Sequence, residues 1–278
     1  MAENQINNGR YDNYIFDLYG TLIDIHTDEE NPEFWKQVAA MYRVYGAVYT
    51  PAGLHRAHLK FVHEAERKMR REAGHPNIEI CLDDVFVRLL REAPEKIAIA
   101  HRVDGRLFAE LSDVQLQNCG WIYDIACVFR SLSRTRLRVY PGIRETLAEL
   151  KARGKKVYLL SNAQGIYTRP EIEQVGLMPY FDDIFISSEH GVRKPDPGFL
   201  RELMEKHRMD PARTIYTGND VHDDVGVAFS CGLHCNLYNP YGLSAREQRR
   251  QIEEMVRRFP GTSPDMVHLQ PKAGRILE

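Results

Sequence analysis

The sequence predicts an α/β protein built on a parallel sheet, and three observations carry that prediction. Short apolar runs rich in β-branched and aromatic residues recur at Tyr14–Leu18 (YIFDL), Lys156–Ser161 (KVYLLS), Asp183–Ser187 (DIFIS), Thr214–Gly218 (TIYTG) and His234–Tyr238 (HCNLY). Each has the length of a strand buried on both faces. Helical periodicity fills the intervals at Arg169–Val175, Pro197–His207 and Asp223–Cys231, and Gly142–Arg153 precedes the second run. Strand alternating with helix implies parallel neighbours joined by right-handed crossovers. Composition agrees: 278 residues, 43% hydrophobic and 27% charged, suffice for a large core without disulfides or a structural metal.

Taken in order, Met1–Tyr14 is polar and lacks the apolar stretch of a secretory signal. No apolar run reaches the roughly 18 residues a bilayer span needs. A cytoplasmic protein without a membrane partner is expected. The interval from His26 to Arg138 shows no convincing strand, so residues 26–137 read as a helical insertion, with the core formed by 1–25 and 138–278. Its helices are expected at Glu33–Tyr45, Pro51–Glu72 with Pro51 at the helix start, Cys81–Arg91, and Leu107–Ser131. The basic run at Glu66–Arg71 (ERKMRR) reads as a solvated helix face. After Tyr238 come a turn (NPYG), an amphipathic helix near Ala245–Arg258, and a tail with Pro260, Pro264 and Pro271 expected on the surface.

Charge and cysteine usage exclude some functions. With 37 Lys+Arg against 39 Asp+Glu, net charge −2, there is no electrostatic footprint for nucleic acid. The five cysteines are scattered. Cys231 and Cys235 with His234 between them could be taken for a metal clip, but no second ligand pair follows, and buried thiols acting as small hydrophobes are the simpler reading.

The chemistry gathers at four strand ends. Open α/β sheets bind ligands at the carboxyl edge of their strands, and the first strand ends in FDLYGTLID, which puts Asp17 there. Taken alone, Asp17 could equally be a turn-forming residue. Gly20 permits a tight turn and Thr21 can cap the backbone beyond it, so this loop can fold over a small anion. The second strand ends in Ser161 and Asn162, and a loop after the third carries Lys194-Pro195-Asp196-Pro197. The fourth ends in Gly218, Asn219, Asp220, then Asp223 and Asp224.

These four segments, in this order and with a helical insertion after the first, resemble the haloacid dehalogenase superfamily, specifically members with a helical cap of the first type. The resemblance covers about Tyr11–Ile25 and Val139–Tyr238. It implies a Rossmann-like three-layer α/β/α core with a parallel sheet, an all-helical cap, and attack by an aspartate carboxylate on phosphorus or carbon. By the same resemblance Asp17 is the nucleophile, Thr21, Ser161 and Asn162 contact the substrate or its phosphate, and Lys194 is the neutralising cation. Asp17, the Tyr19 backbone carbonyl, Asp220 and Asp224 would hold Mg2+, with Asn219 and Asp223 as alternates because family spacing varies by one residue.

One position departs from the phosphatase pattern. Those enzymes carry a second aspartate two residues after the nucleophile to protonate the leaving group; here the residue is Tyr19, as in 2-haloacid dehalogenases, whose halide leaves without a proton. The fourth segment leans the other way, because Asp220, Asp223 and Asp224 put more negative charge in the site than metal-free attack on an anion tolerates. The tyrosine that dehalogenases carry six residues after the lysine is Leu200 here. The expected activity is magnesium-dependent hydrolysis of a small phosphorylated metabolite with a good leaving group. The alternatives are metal-independent dehalogenation of a 2-halo acid and a non-catalytic ligand-binding module. Trp35, Tyr42, Arg43, Lys60 and Trp121 are candidate substrate contacts by type only, each also readable as packing or surface. A monomer or a homodimer is expected.

Overall fold

A computed structural model describes residues 10–103, 105–239 and 242–270; Pro271 and the first nine residues lie outside the described residues. In chain order the strands are β1 (Asn13–Phe16), β2 (Ile23–Thr27), β3 (Ala47–Val48), β4 (Glu95–Lys96), β5 (Arg102–Val103), β6 (Arg106–Leu107), β7 (Arg134–Val139), β8 (Lys156–Ser161), β9 (Asp183–Ile186), β10 (Thr214–Gly218), β11 (His234–Tyr238) and β12 (Val267–Gln270). The helices are α1 (Pro32–Val44), α2 (Pro51–Ala73), α3 (Leu82–Arg91), α4 (Asp113–Gln117), α5 (Gly120–Ser133), α6 (Ile143–Ala152), α7 (Gly165–Gln174), α8 (Ser187–His190), α9 (Pro197–Lys206), α10 (Gly226–Ser230) and α11 (Ala245–Arg258).

The chain divides into two compact units, one of residues 1–25, 137–163 and 172–278, the other of residues 26–136 and 164–171. The first holds a six-stranded sheet in the order β12-β11-β10-β1-β8-β9, every pair parallel. Alternation along each strand builds the layers. Tyr14, Phe16, Val157 and Leu159 join one apolar cluster with Leu147 of α6, whereas Ile15, Tyr158 and Leu160 join another with Phe199 and Leu203 of α9. Both faces are therefore covered, which is why these strands read as continuous apolar runs. This is the Rossmann-like α/β fold.

The second unit packs its own core around Trp35, Tyr42, Phe86, Phe108, Trp121 and Phe129. Asn31 caps α1 ahead of Pro32, and Thr50 caps α2 ahead of Pro51. Both prolines sit where a helix lacks a backbone acceptor for their missing N–H. Glu171 accepts from Arg130 at 2.8 Å and from Arg134 at 2.7 Å, with Glu171 buried.

Four expectations need correction. The insertion contains strands after all, as the ribbons β3–β4 and β5–β6, with β2 and β7 pairing at its ends; the ribbon strands have two residues each, too few to register as a strand signal. The helix expected over Leu107–Ser131 is a 3₁₀ turn at Phe108–Glu110, then α4, then α5, because Ser112 forms a capping box with Gln115 and starts a new helix. The helix expected over Asp223–Cys231 opens earlier as a π-turn at Val221–Val225 before α10. Within the tail, Pro260 and Pro264 are exposed, but Val267–Gln270 forms a sixth strand at the edge of the sheet, paired with β11. Of the candidate cap contacts, Trp35, Tyr42 and Trp121 are buried in the unit's own core, and Arg43 and Lys60 are exposed. All five cysteines are free. Among the described residues no helix is long and apolar enough to cross a membrane.

Candidate active site

The site is built where β1, β8 and β10 end. Asp17 is the first residue beyond β1, and its N–H still donates to the Thr217 carbonyl at 2.9 Å, which fixes its backbone in line with the sheet. The chain then turns sharply: the Leu18 carbonyl accepts from the N–H groups of Thr21, Leu22 and Ile23. Gly20 takes φ +82°, and a Cβ there would lie 2.8 Å from the Asn219 carboxamide, so both conformation and space require glycine.

Lys194 reaches this point from the loop after α8. Its Nζ donates to Asp17 Oδ1 and to Asp224 Oδ1, each at 2.7 Å, and to the Tyr216 hydroxyl at 3.1 Å, with only 2% of the residue exposed. The other Asp224 oxygen accepts from the backbone N–H groups of Asn219 (2.8 Å) and Asp220 (2.9 Å). That approach is possible because residue 218 is glycine; a Cβ there would fall 2.2 Å from Asp224 Cγ. The π-turn at Val221–Val225 is the backbone device that turns Asp224 inward, consistent with such turns marking functional sites.

The remaining candidates divide. Thr21 Oγ1 donates to Asp17 Oδ2 at 3.2 Å. Ser161 is buried, and its hydroxyl has no hydrogen-bond partner among the described residues. The end of the Asn219 carboxamide that faces the site lies 2.9 Å from Thr21 Oγ1, 3.3 Å from Asp17 Oδ2 and 3.1 Å from the Tyr19 carbonyl. With nitrogen on that side the amide donates to all three; with oxygen on that side it accepts from Thr21 and brings a third oxygen beside Asp17 Oδ2 and the Tyr19 carbonyl. Tyr19 is half-buried against the apolar cluster that holds Phe16 and Leu18.

Three residues have hydrogen-bond partners within the protein itself. Asn162 spends its amide on the protein: Oδ1 accepts from Lys194 N–H at 2.8 Å, and Nδ2 donates to the Lys194 carbonyl (3.1 Å) and to Asp223 Oδ2 (3.0 Å). It clamps the Lys194 backbone. Asp220 is exposed and accepts from Asp223 N–H at 2.7 Å, capping the π-turn. Asp224 has four donors on its two oxygens, so it serves Lys194 and the turn.

Burial sets the electrostatics. Asp17 is pushed up to about 6 by desolvation, against the opposing pull of Lys194, while the Asp224 charge adds to the rise. Burial alone would lower Lys194, but Asp17 and Asp224 outweigh it and hold the ammonium above its ordinary value. Tyr216 is raised well above the usual phenol range, first by burial and then by Asp224 and Asp17, so it stays protonated. Its hydroxyl lies 3.1 Å from Asp224 Oδ1 and 3.2 Å from the Leu160 carbonyl. Sequence reasoning missed Tyr216. The available signal was a polar-tipped tyrosine in the middle of a buried strand.

The parallel sheet and the buried Asp–Lys–Asp cluster at its carboxyl edge define a Rossmann-like α/β protein with a buried charged site where such sheets bind ligands. The sequence profile of haloacid dehalogenase-like hydrolases matches residues 11–232, and the chain belongs to that family. Curated relatives include the glyceraldehyde 3-phosphate phosphatases of Methanocaldococcus jannaschii, 32% identical over 35% of this chain and 42% of that one, and of Pyrococcus furiosus, 26% identical over 51% and 60%. The phosphoglycolate phosphatase of Vibrio vulnificus is 32% identical over 34% and 41%. The chain thus aligns with about two fifths to three fifths of these relatives' length. Among solved structures, a 2-haloacid dehalogenase from Pseudomonas syringae is similar in fold, with TM-score 0.55 and 20% identity over 90% of this chain and all of that one.

Two outcomes are expected. Gly218→Ala drives a methyl into Asp224 and costs about 1–3 kcal/mol or more, read by urea unfolding. In metal-free buffer, Asp17 has a folded value of about 6 against 3.8 for the ordinary group, so its contribution to stability is full at low pH and is lost as pH rises from about 4 to about 6. The stability of the wild type relative to Asp17→Asn should therefore decline across that window by on the order of 1–3 kcal/mol, read by thermal melts at stepped pH.

Proposed function

We propose that this hydrolase cleaves small phosphorylated metabolites through Asp17. The observation that carries the reading is the buried Asp17 carboxylate at the end of β1, held by Lys194 on one oxygen and open toward Thr21 and Asn219 on the other. Asp17 attacks phosphorus, the bond from phosphorus to the leaving oxygen breaks, and a carboxyl-phosphate forms on Asp17. Water then attacks, releasing orthophosphate and restoring the carboxylate. Lys194 offsets the charge that builds on the attacked group, and the partner-free Ser161 hydroxyl is available to a phosphoryl oxygen. The names of the curated relatives, phosphatases of glyceraldehyde 3-phosphate and of phosphoglycolate, support the same class of substrate.

The donor set suits Mg2+. Asp17 Oδ2 and the Tyr19 carbonyl lie 3.3 and 3.1 Å from the site-facing end of the Asn219 carboxamide; turned to present its oxygen, that amide would complete the all-oxygen set a hard cation takes. Two buried carboxylates share a single lysine, leaving one negative charge uncompensated. These contacts support Asn219 over Asp220 as ligand and leave Asp224 to Lys194. When bound, the cation would supply charge stabilisation for an anionic substrate. The reading includes residues 26–137 as a cap domain on a core of 1–25 and 138–278, and a cytoplasmic monomer or homodimer.

Tyr19 limits the substrate. No carboxyl group stands two residues beyond Asp17 to protonate an alkoxide, so the reading favours acyl phosphates or pyrophosphates, whose leaving groups depart as anions. The same observation favours a second reading, dehalogenation of a 2-halo acid, in which the Asn219 amide nitrogen takes the cation's place between Asp17 and the Tyr19 carbonyl.

Phosphate release from acetyl phosphate is expected to require Mg2+ and to fall at least about 10³-fold in Asp17→Asn. Its absence across acyl phosphates, pyrophosphates and esters, with chloride released from 2-chloropropionate in EDTA, selects the second reading. Tyr19→Asp should raise turnover of alkyl phosphate esters by about 10²-fold; esters left untouched would show that the leaving-group proton is not the limitation.

A further inference from the structure

Beside the Asn219–His222 turn, the end of β11 and one side of α11 enclose a cleft of about 280 Å³, well above the roughly 30 Å³ that one water occupies. Leu237 and Met255 give it an apolar floor, and Gln248, Gln251, Asp220 and Glu254 supply polar lining. Gln248 is only 7% exposed. Its N–H belongs to the first turn of α11, donating to the Ser244 carbonyl, but its carboxamide makes no hydrogen bond to any described residue. Its amide atoms are not sealed from solvent, so the hydrogen-bonding capacity of Gln248 is unspent within the protein at the lining of the cleft. A two-donor, two-acceptor group left open toward a cleft is therefore placed for an occupant.

The lining says which kind. Asp220 and Glu254 repel anions, and Arg258 is already paired with Glu254. The carboxamides of Gln248 and Gln251 both donate and accept, as hydroxyl groups do. Apolar Leu237 and Met255 suit the C–H face of a ring. We propose that this cleft binds a neutral polyhydroxylated ring, a sugar or cyclitol, through Gln248 and Gln251. It holds whether the enzyme proves a phosphatase or a dehalogenase. The ring is either a free sugar or the non-reacting part of a substrate, since Asn219 and Asp220 border both the cleft and the catalytic loop.

The test is calorimetric titration of the full chain carrying Asp17→Asn, which prevents turnover, with D-glucose, D-galactose, D-ribose, myo-inositol and glucose 6-phosphate. Saturable binding of at least one neutral ring is expected, weakened about tenfold by Gln248→Leu. Leucine fills the same volume and removes the unpaired amide, so the variant should melt at or above the parent temperature. If glucose 6-phosphate weakens in parallel, the ring is the substrate's own; if only the neutral ring weakens, the site takes a free sugar. No binding by any neutral ring, or binding indifferent to both Gln248→Leu and Gln251→Ala, overturns the proposal.

Discussion

Everything at the carboxyl edge of the sheet depends on one buried ammonium held between two carboxylates. Burying three charged groups costs several kcal/mol for each, and the cost is met only with short hydrogen bonds and full satisfaction of the remaining lone pairs. The chain meets that condition from all sides. Asn162 holds the Lys194 backbone, Tyr216 supports its ammonium from below, and two backbone N–H groups serve the far oxygen of Asp224. Gly218 and Gly20 are the places where the backbone must come too close for a side chain. With a single positive charge for two negative ones, the cluster leaves Asp17 only partly compensated, and burial lifts it above the ordinary carboxylate range.

The core and the location of the site were readable because they rest on strong local signals. Strands buried on both faces are unbroken apolar runs, and a polar residue at the end of each stands out against them; Asp17, Ser161 and the Asn219–Asp224 segment were singled out this way, and Lys194 by its loop after the third strand. What could not be read was which of several adjacent polar residues points inward. Asp220, Asp223 and Asp224 look alike in sequence, and a π-turn, which has no compositional signature, decides among them. Asn162 illustrates the same limit, since an amide beside a strand end serves a substrate or a neighbouring loop equally well. The strand β12 escaped because a single edge pairing with β11 asks little of its sequence, VHLQ.

The Asn219 carboxamide touches three groups of the loop at one point: Thr21, Asp17 and the Tyr19 carbonyl. A planar amide presents a donor or an acceptor to the same point by a half-turn, at no steric cost. An aspartate there would commit the site to a cation, and an alanine would commit it to none. Asparagine leaves the point itself neutral, so a cation there would draw on the charge of the neighbouring Asp17.

The position of β1 in the middle of the sheet has a consequence for how the protein is made. Asn13 registers with Lys156 on one side and Thr214 on the other. The strand that leads into Asp17 is thus made before either neighbour and must wait for residues 156 and 214 to be synthesised. Long-range parallel pairing of this kind forms slowly, after the loop-closure entropy has been met. Until Thr214–Gly218 emerges, Asp17 has neither Lys194's full support nor the turn that carries Asp224. The growing chain therefore carries Asp17 without its buried surroundings until the segment that ends in Asp224 has been made.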